Sequence, residues 1–458
     1  MTMTGGGSMG GASTAGIRRR CAQRPQAVLV TAALLVLAPA APALAGKPRA
    51  DDGTATRQVS VAADGAAPDG VSGSPAISDD GRRVAFVSTA SNLVPGDTNG
   101  VADVFVRDLR SGVTTRVSVD TAGRQAEGAS DLPSVSHDGR YVAFESWAPN
   151  LVPGDTNGFL DVFVHDVRSG ITRRVSVAAG GRQADQGGGR PLLSDSGRFV
   201  AFTSTSTDLV PGPQHFYQDA YLRDLVTGTV RRISTARDGS LADGMSTAFG
   251  ISDDGRRVVF ESSAPDVVPG DTNEQFDVFV YDDRTRRNTR VSVGPKGQQA
   301  DSYSLGGRIS GDGRYAAFGS AATNLVAGDT NGVTDVFLRD LRGGRTYRVS
   351  LAGYGAQLDG GSLLHDLSDD GREVAFESFA PNAVPGDTNA TYDVFVRDAD
   401  DGSTTRVSLA AAGAEPDGAS GRPVISGDGR HVAFESLATN LVAGTDAPGR
   451  DVFVRSLG

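Results

Sequence analysis

Cysteine is almost missing from this chain: Cys21 is the only one in 458 residues. A disulfide framework is therefore excluded, and so are the cysteine-rich zinc and iron–sulfur classes. Basic charge is also short. The formal net charge is −11, whereas neutralising phosphates needs a positive surface, so nucleic acid is not expected as a partner. Beyond residue 45 there is no apolar run of the ~18 residues that a membrane-spanning helix needs. No G-x-S-x-G nucleophile elbow occurs, and no two of the five histidines (His137, His165, His215, His365, His431) stand at metal-ligand spacing. What is present is a glycine-rich chain, with 60 Gly, 38% apolar residues and short apolar runs that recur throughout. That is the composition of a turn-rich all-β protein.

Residues 1–45 read as a secretory signal peptide. Arg18, Arg19, Arg20 and Arg24 precede the apolar run 27–37, and Ala43-Leu44-Ala45 supplies an A-x-A cleavage site. The arginines leave export by the general or the twin-arginine route open. Cleavage after Ala45 removes the four arginines and the cysteine and makes the product more acidic. A secreted or envelope-exterior location follows as the expectation, with no membrane span in the mature chain. Residues 46–52 form a short N-terminal segment.

The rest is one unit repeated seven times. Glycines in the strings SDDGR, SHDGR, SDSGR and SGDGR stand at Gly81, Gly139, Gly197, Gly255, Gly313, Gly371 and Gly429, always 58 apart. The aspartates opening the DVFV-type strings, from Asp103 to Asp451, keep the same interval. Seven units fill 53–458. In the second, strands are predicted over 132–136, 141–146, 161–167 and 172–177, the first two joined by the hairpin signal Asp138-Gly139. Four short antiparallel strands per unit of this length fit a propeller blade. The last unit stops before its fourth strand, and the missing copy stands at the front as Val59-Ser60-Val61. This permutation predicts a seven-bladed β-propeller in which the N-terminal strand completes the last blade and removes both free edges.

The pattern S-x-D-G-R-x-V-A-F-x-S, then D-V-F-V-x-D, then R-V-S resembles the TolB-like, WD-like propeller repeat family, across the whole chain after the signal. It departs in having SDDG or SGDG where that family has SPDG, and in a longer loop between the second and third strands (b and c). The resemblance implies that the first strand, a, lines the central channel. It also implies envelope-associated interactions, without the peptidase module that some such propellers carry.

Among the repeated positions, the Phe86-type and Phe105-type rings are expected to pack blade on blade. The Ser88-type and Asn92-type residues are expected to cap loops. Arg82 and its equivalents face Asp108-type carboxylates, with pairing or plain solvation both open. Two acidic sets are candidate sites. The b-to-c loop G-D-T-N-x-x-x-D supplies Asp97, Asn99 and Asp103; Asp155, Asn157 and Asp161; Asp271, Asn273 and Asp277; Asp329, Asn331 and Asp335; and Asp387, Asn389 and Asp393. Alternating oxygen side chains suit calcium, which takes about six to eight oxygens, and an Asx turn without metal is the other reading. Unit three carries Pro213-Gln214-His215 here and unit seven Thr445-Asp446-Ala447. The second set lies in the loop from strand d to the next strand a: Asp69, Glu127, Asp185, Asp243, Asp301, Asp359 and Asp417. Strand alternation puts both sets on one face; with strand a innermost, as the resemblance implies, the second set surrounds the channel mouth near His365.

The leading expectation is a secreted, noncatalytic, monomeric platform, possible calcium included, whose acidic face binds an envelope or extracellular protein, peptide or glycan. Two alternatives remain open: an exported hydrolase or lyase working at the channel mouth, and a calcium-dependent structural or adhesive protein.

Overall fold

The computed structural model describes residues 55–443 and 449–458. The expected signal peptide, the segment 46–52 and the Thr445-Asp446-Ala447 loop lie outside the described residues. Seven four-stranded antiparallel sheets follow one another, each ordered a-b-c-d from the centre outward. In the second blade the strands are Ser130–Val135, Tyr141–Ser146, Asp161–Asp166 and Ile171–Arg174. The seventh blade takes strands a to c from Ser420–Ile425, His431–Ser436 and Asp451–Ser456, and its outer strand from the front of the chain, Thr56–Gln58. Thr56 pairs with Arg455 and Gln58 with Phe453, so the ring closes through its termini as the missing strand predicts.

The blade core explains why strand b reads V-A-F with all three residues buried. A central blade has a neighbour on each side, so neither face meets water. Phe144 and Phe163 of the second blade pack on Ala85, Val104 and Val106 of the first, while Ala143, Val162 and Val164 on the other face receive Phe202 and Tyr221 of the third. Large rings thus enter a layer of small residues at each interface, and each pair stacks across strands b and c, with Phe144 and Phe163 centroids 5.8 Å apart. Burying one such ring contributes about 2–3 kcal/mol. The D-G-R turn is set by its own polar atoms. Asp138 Oδ1 accepts from the Arg140 amide at 2.9 Å, and Gly139 has φ +64. A Cβ at Gly139 would also lie 2.5 Å from the Arg83 side chain of the preceding blade. Glycine is therefore required by backbone conformation and by close approach.

Three sequence-based strand limits are corrected. The fourth strand is shorter than 172–177 and ends at Arg174, because Val175 leaves the ladder after one bond to the Val162 carbonyl and Ser176 turns in to hold Asp161. The closing strand likewise precedes Val59-Ser60-Val61. Strand a starts two residues before the predicted 132 and contains a bulge. At Arg190, Gly306, Arg422 and Ser74 that bulge has positive φ, and its amide donates to a glutamate on strand b of the preceding blade: Glu145, Glu261, Glu377 and Glu435. These bonds tie each of the four blades to its neighbour at the channel wall.

Candidate functional site

The b-to-c and d-to-a loops do emerge together: Asp69 on one bonds Ser91 on the other. This end of the ring is the loop face, and the a-to-b and c-to-d turns form the turn face.

On the loop face each predicted oxygen triad is brought together, around an arginine. Arg116 Nη1 lies 3.1 Å from Asp97 and 3.4 Å from Asp103. Arg174 stands 3.4 and 3.0 Å from Asp155 and Asp161. Arg290 bridges Asp271 and Asp277, Arg348 bridges Asp329 and Asp335, and Arg406 bridges Asp387, Asp393 and Glu415. The asparagines present nitrogen to this centre: Asn99 donates to Asp103 at 2.7 Å, Asn331 and Asn389 donate to Asp335 and Asp393, and Asn157 and Asn273 donate to the Ala184 and Ala300 carbonyls. Their side-chain oxygens accept backbone amides two residues on, as from Val101 and Phe159, which is an Asx turn. The carboxylate oxygens assigned to a cation from the sequence therefore face a guanidinium, and the asparagine oxygens face backbone amides. The missed residues are Arg116, Arg174, Arg232, Arg290, Arg348 and Arg406. Their signal was in the sequence, as the arginine repeated before each V-S or I-S pair. The third blade confirms the rule: without the loop aspartate, Arg232 holds Asp219 at 2.8 Å and Gln214, while His215 approaches Asp219 at 3.2 Å. In the closing blade Gln58 stands in the arginine's place, beside Asp451.

The hydrogen bonds of the d-to-a carboxylates run to loops of their own blades. Asp69, Asp301 and Asp417 each bond the amide and hydroxyl of their own blade's loop, at Ser91, Thr323 and Thr439, and Asp185 does the same with Thr207. The hydrogen bonds from Ser91 and Thr439 hold Asp69 and Asp417 below the usual carboxylate range. At Glu127, Asp243 and Asp359 the backbone amide is held by Asn150, Asp266 and Asn382. His365 lies inside the channel wall, 3.1 Å from Glu377. The channel holds a cavity of about 490 Å³ into which Arg190, Arg308 and Arg422 also reach. Arg190 stacks over the Phe249 ring at 4.6 Å, and Arg308 donates to the Phe249 carbonyl.

Carboxylates that do converge are found on the turn face, at the residue after the serine of each S-D-D-G string. The seven positions read Asp79, His137, Asp195, Asp253, Gly311, Asp369 and Gly427. His137 Nδ1 stands 3.0 Å from Asp79 and 3.6 Å from Asp195. Burial and mutual repulsion push the acids up, Asp79 to about 6 and Asp195, Asp253 and Asp369 to about 7. Burial alone would lower His137, but its hydrogen bond to Asp79 and the surrounding charge raise it. The sequence reading used the Asp-Gly turn and the arginine of these strings and gave no role to the residue after the serine. The aspartate repeat itself was visible, but its convergence on the axis required the geometry of strand a. Further out on the same face, Arg140, Arg198, Arg314 and Arg372 pair with Asp166, Asp224, Asp340 and Asp398, which decides the open question of that arginine set in four blades.

Exposed aromatic side chains stand on the b-to-c loops of the loop face. On these loops they are Trp147, Phe159, Phe216, Tyr217, Phe379 and Tyr392, with Phe216 92% and Trp147 58% exposed; Tyr354 is exposed on a d-to-a loop and Tyr347 on an outer strand. Phe379 and Tyr392 meet edge to face at 5.4 Å. Exposed apolar residues of the opposite turns are the smaller Val113 and Val226.

Seven four-stranded blades and an outer strand that closes the ring define a seven-bladed β-propeller. No protein-family model and no curated protein matches the sequence. Solved structures do match in fold. The β-propeller domain of the Trilobed protease from Pyrococcus furiosus shares 10% identity over 85% of this chain and 96% of that one, at a TM-score of 0.53. Oligogalacturonate lyase from Vibrio parahaemolyticus shares 10% identity over 89% and 95%, at 0.52. TolB from Acinetobacter baumannii is also similar, at 15% identity over 78% and 76%, with a TM-score of 0.37. The first of these is described as having an open velcro topology; here Thr56–Gln58 closes the ring. Among the described residues no helix is long and apolar enough to cross a membrane.

Proposed function

We propose that this chain is an exported, noncatalytic binding propeller that docks a protein or peptide partner on its loop face. The observation that carries this reading is the placement of six exposed aromatic side chains on that face, on loops held by arginine and Asx locks. Aromatic residues are enriched where interfaces bury surface, because they supply large contact area at small entropic cost. Fixed loops lower the ordering cost of binding. The acidic surroundings favour a basic partner and faster encounter at low salt. The five histidines stand at five different places in the repeat, from the turn-face axis to the channel wall and the loop face, which favours binding over acid–base chemistry. In this reading the five Asp-x-Asn loops are turns cross-linked by arginine, with calcium unnecessary to their shape.

The test is retention from envelope and culture fractions on immobilised protein, comparing the native chain with Trp147→Ser/Phe216→Ser. The reading expects a partner held by the native chain and lost by the variant, with binding weakened by salt. Equal retention by both would overturn it. Turnover of a polysaccharide or peptide that vanishes in His365→Ala with the fold intact would favour an enzyme in the channel instead.

A further inference from the structure

We infer that the turn-face end of the propeller axis is a binding site for one divalent transition-metal ion, held by Asp79, His137 and Asp195. One ligand atom from each of these side chains lies within 4.8 Å of the others. With His137 Nδ1 3.0 Å from Asp79 and 3.6 Å from Asp195, the ligand atoms stand at the mutual spacing of donors ~2.0–2.2 Å from a shared zinc ion. The site is separate from the loop face, so it stands or falls independently of the docking surface.

Three features go beyond a concentration of acid. The first is the imidazole: one blade in seven replaces the ring carboxylate by histidine, and it falls between the two aspartates. A mixed nitrogen and oxygen set selects zinc-like ions over calcium, which prefers oxygen alone. The second is rigidity. The ring is stitched from turn to turn by backbone bonds, with the His137 amide on the Asp195 carbonyl, the Asp253 amide on Gly311 and the Asp369 amide on Gly427. Ligands fixed in this way lose little freedom on binding. The third is shape. A Cβ at Gly311 would lie 2.2 Å from Asp253 Oδ2, and one at Gly427 would lie 2.2 Å from Asp369 Oδ2. These two blades omit a side chain where their neighbours' carboxylates lie, which leaves Asp253 and Asp369 as charge partners beside the triad. His137 is 58% exposed, so an ion can enter from solvent.

The experiment is calorimetric titration of the metal-stripped protein with zinc chloride, repeated with calcium chloride. The expected result is one saturable zinc site per chain, at least about tenfold weaker in His137→Ala and in Asp195→Asn. Asp97→Asn, on the loop face, should bind zinc as the native chain does. Cobalt supplies a second readout that needs no variant: visible d–d absorption of a low-symmetry site with a nitrogen ligand, abolished by zinc. No saturable zinc binding, zinc binding indifferent to His137→Ala, or calcium bound more tightly than zinc would each overturn the inference.

Discussion

The two ends of this propeller both carry repeated acidic side chains and treat them in opposite ways. On the loop face the strand-opening aspartates of six blades have a guanidinium beside them, and four of the d-to-a carboxylates bond the amide and hydroxyl of their own loop. Each charge is settled within its blade, and the loops become a stiff support for aromatic residues. At the turn-face axis, Asp79, Asp195, Asp253 and Asp369 come from four different blades, and the only positive group among the causes of their shifts is the His137 imidazole. The lesson is that a repeated acid can be structural or site-forming according to its radius. Far from the axis the copies stay as separate contacts within their own blades, whereas near it they become one cluster.

The largest effect is expected where the comparison is broken on the loop face. Arg174→Gln leaves Asp161, which is fully buried, and Asp155 without their cation. We expect a loss of about 3 kcal/mol in urea unfolding, because a buried charge stripped of its partner keeps its desolvation cost. A loss below about 0.5 kcal/mol would mean that these arginines are surface pairs of little consequence. A smaller effect of opposite sign should follow Gln58→Arg, which gives the closing blade the arginine that the six others share. Burial pushes Asp451 up against help from Ser60 and Gln58, so an added guanidinium should stabilise by about 1 kcal/mol, read as a rise in melting temperature. An unchanged or lower melting temperature would show that the closing blade is shaped for glutamine. The smallest effect belongs to Asp69→Ala, an exposed loop cap, with a loss under about 1 kcal/mol and no change at the turn face. A larger loss would mean that this set carries more than its own loop.

Blade number, closure and the aromatic core were legible because an interval of 58 without insertions and one displaced strand admit few arrangements. Which charges meet was harder to read. Asp97, Asn99 and Asp103 suggested a cation site because oxygen spacing was visible while the direction of each oxygen was not. Asn99 turns its nitrogen inward, and the cation arrives as Arg116 from strand d, 13 residues beyond Asp103. Nor does Asp79 announce itself in the sequence. It sits one residue after a structural serine, in a string whose glycine and arginine carry the obvious roles, and its neighbours in space lie in other repeats.

The pH dependence of stability tests the central contrast most directly, measured in chelator so that metal plays no part. A carboxyl group raised in the folded state binds its proton more tightly there than in the unfolded chain. Its contribution is therefore present below the unfolded pKa of about 4 and is lost as pH rises through the folded value, about 7 for Asp195, Asp253 and Asp369. The native chain should lose stability between about pH 5 and about pH 8, and Asp195→Asn/Asp253→Asn should lose distinctly less over the same range. Matching slopes in the two proteins, or a native chain that gains stability toward about pH 8, would contradict a converging acidic cluster on the axis.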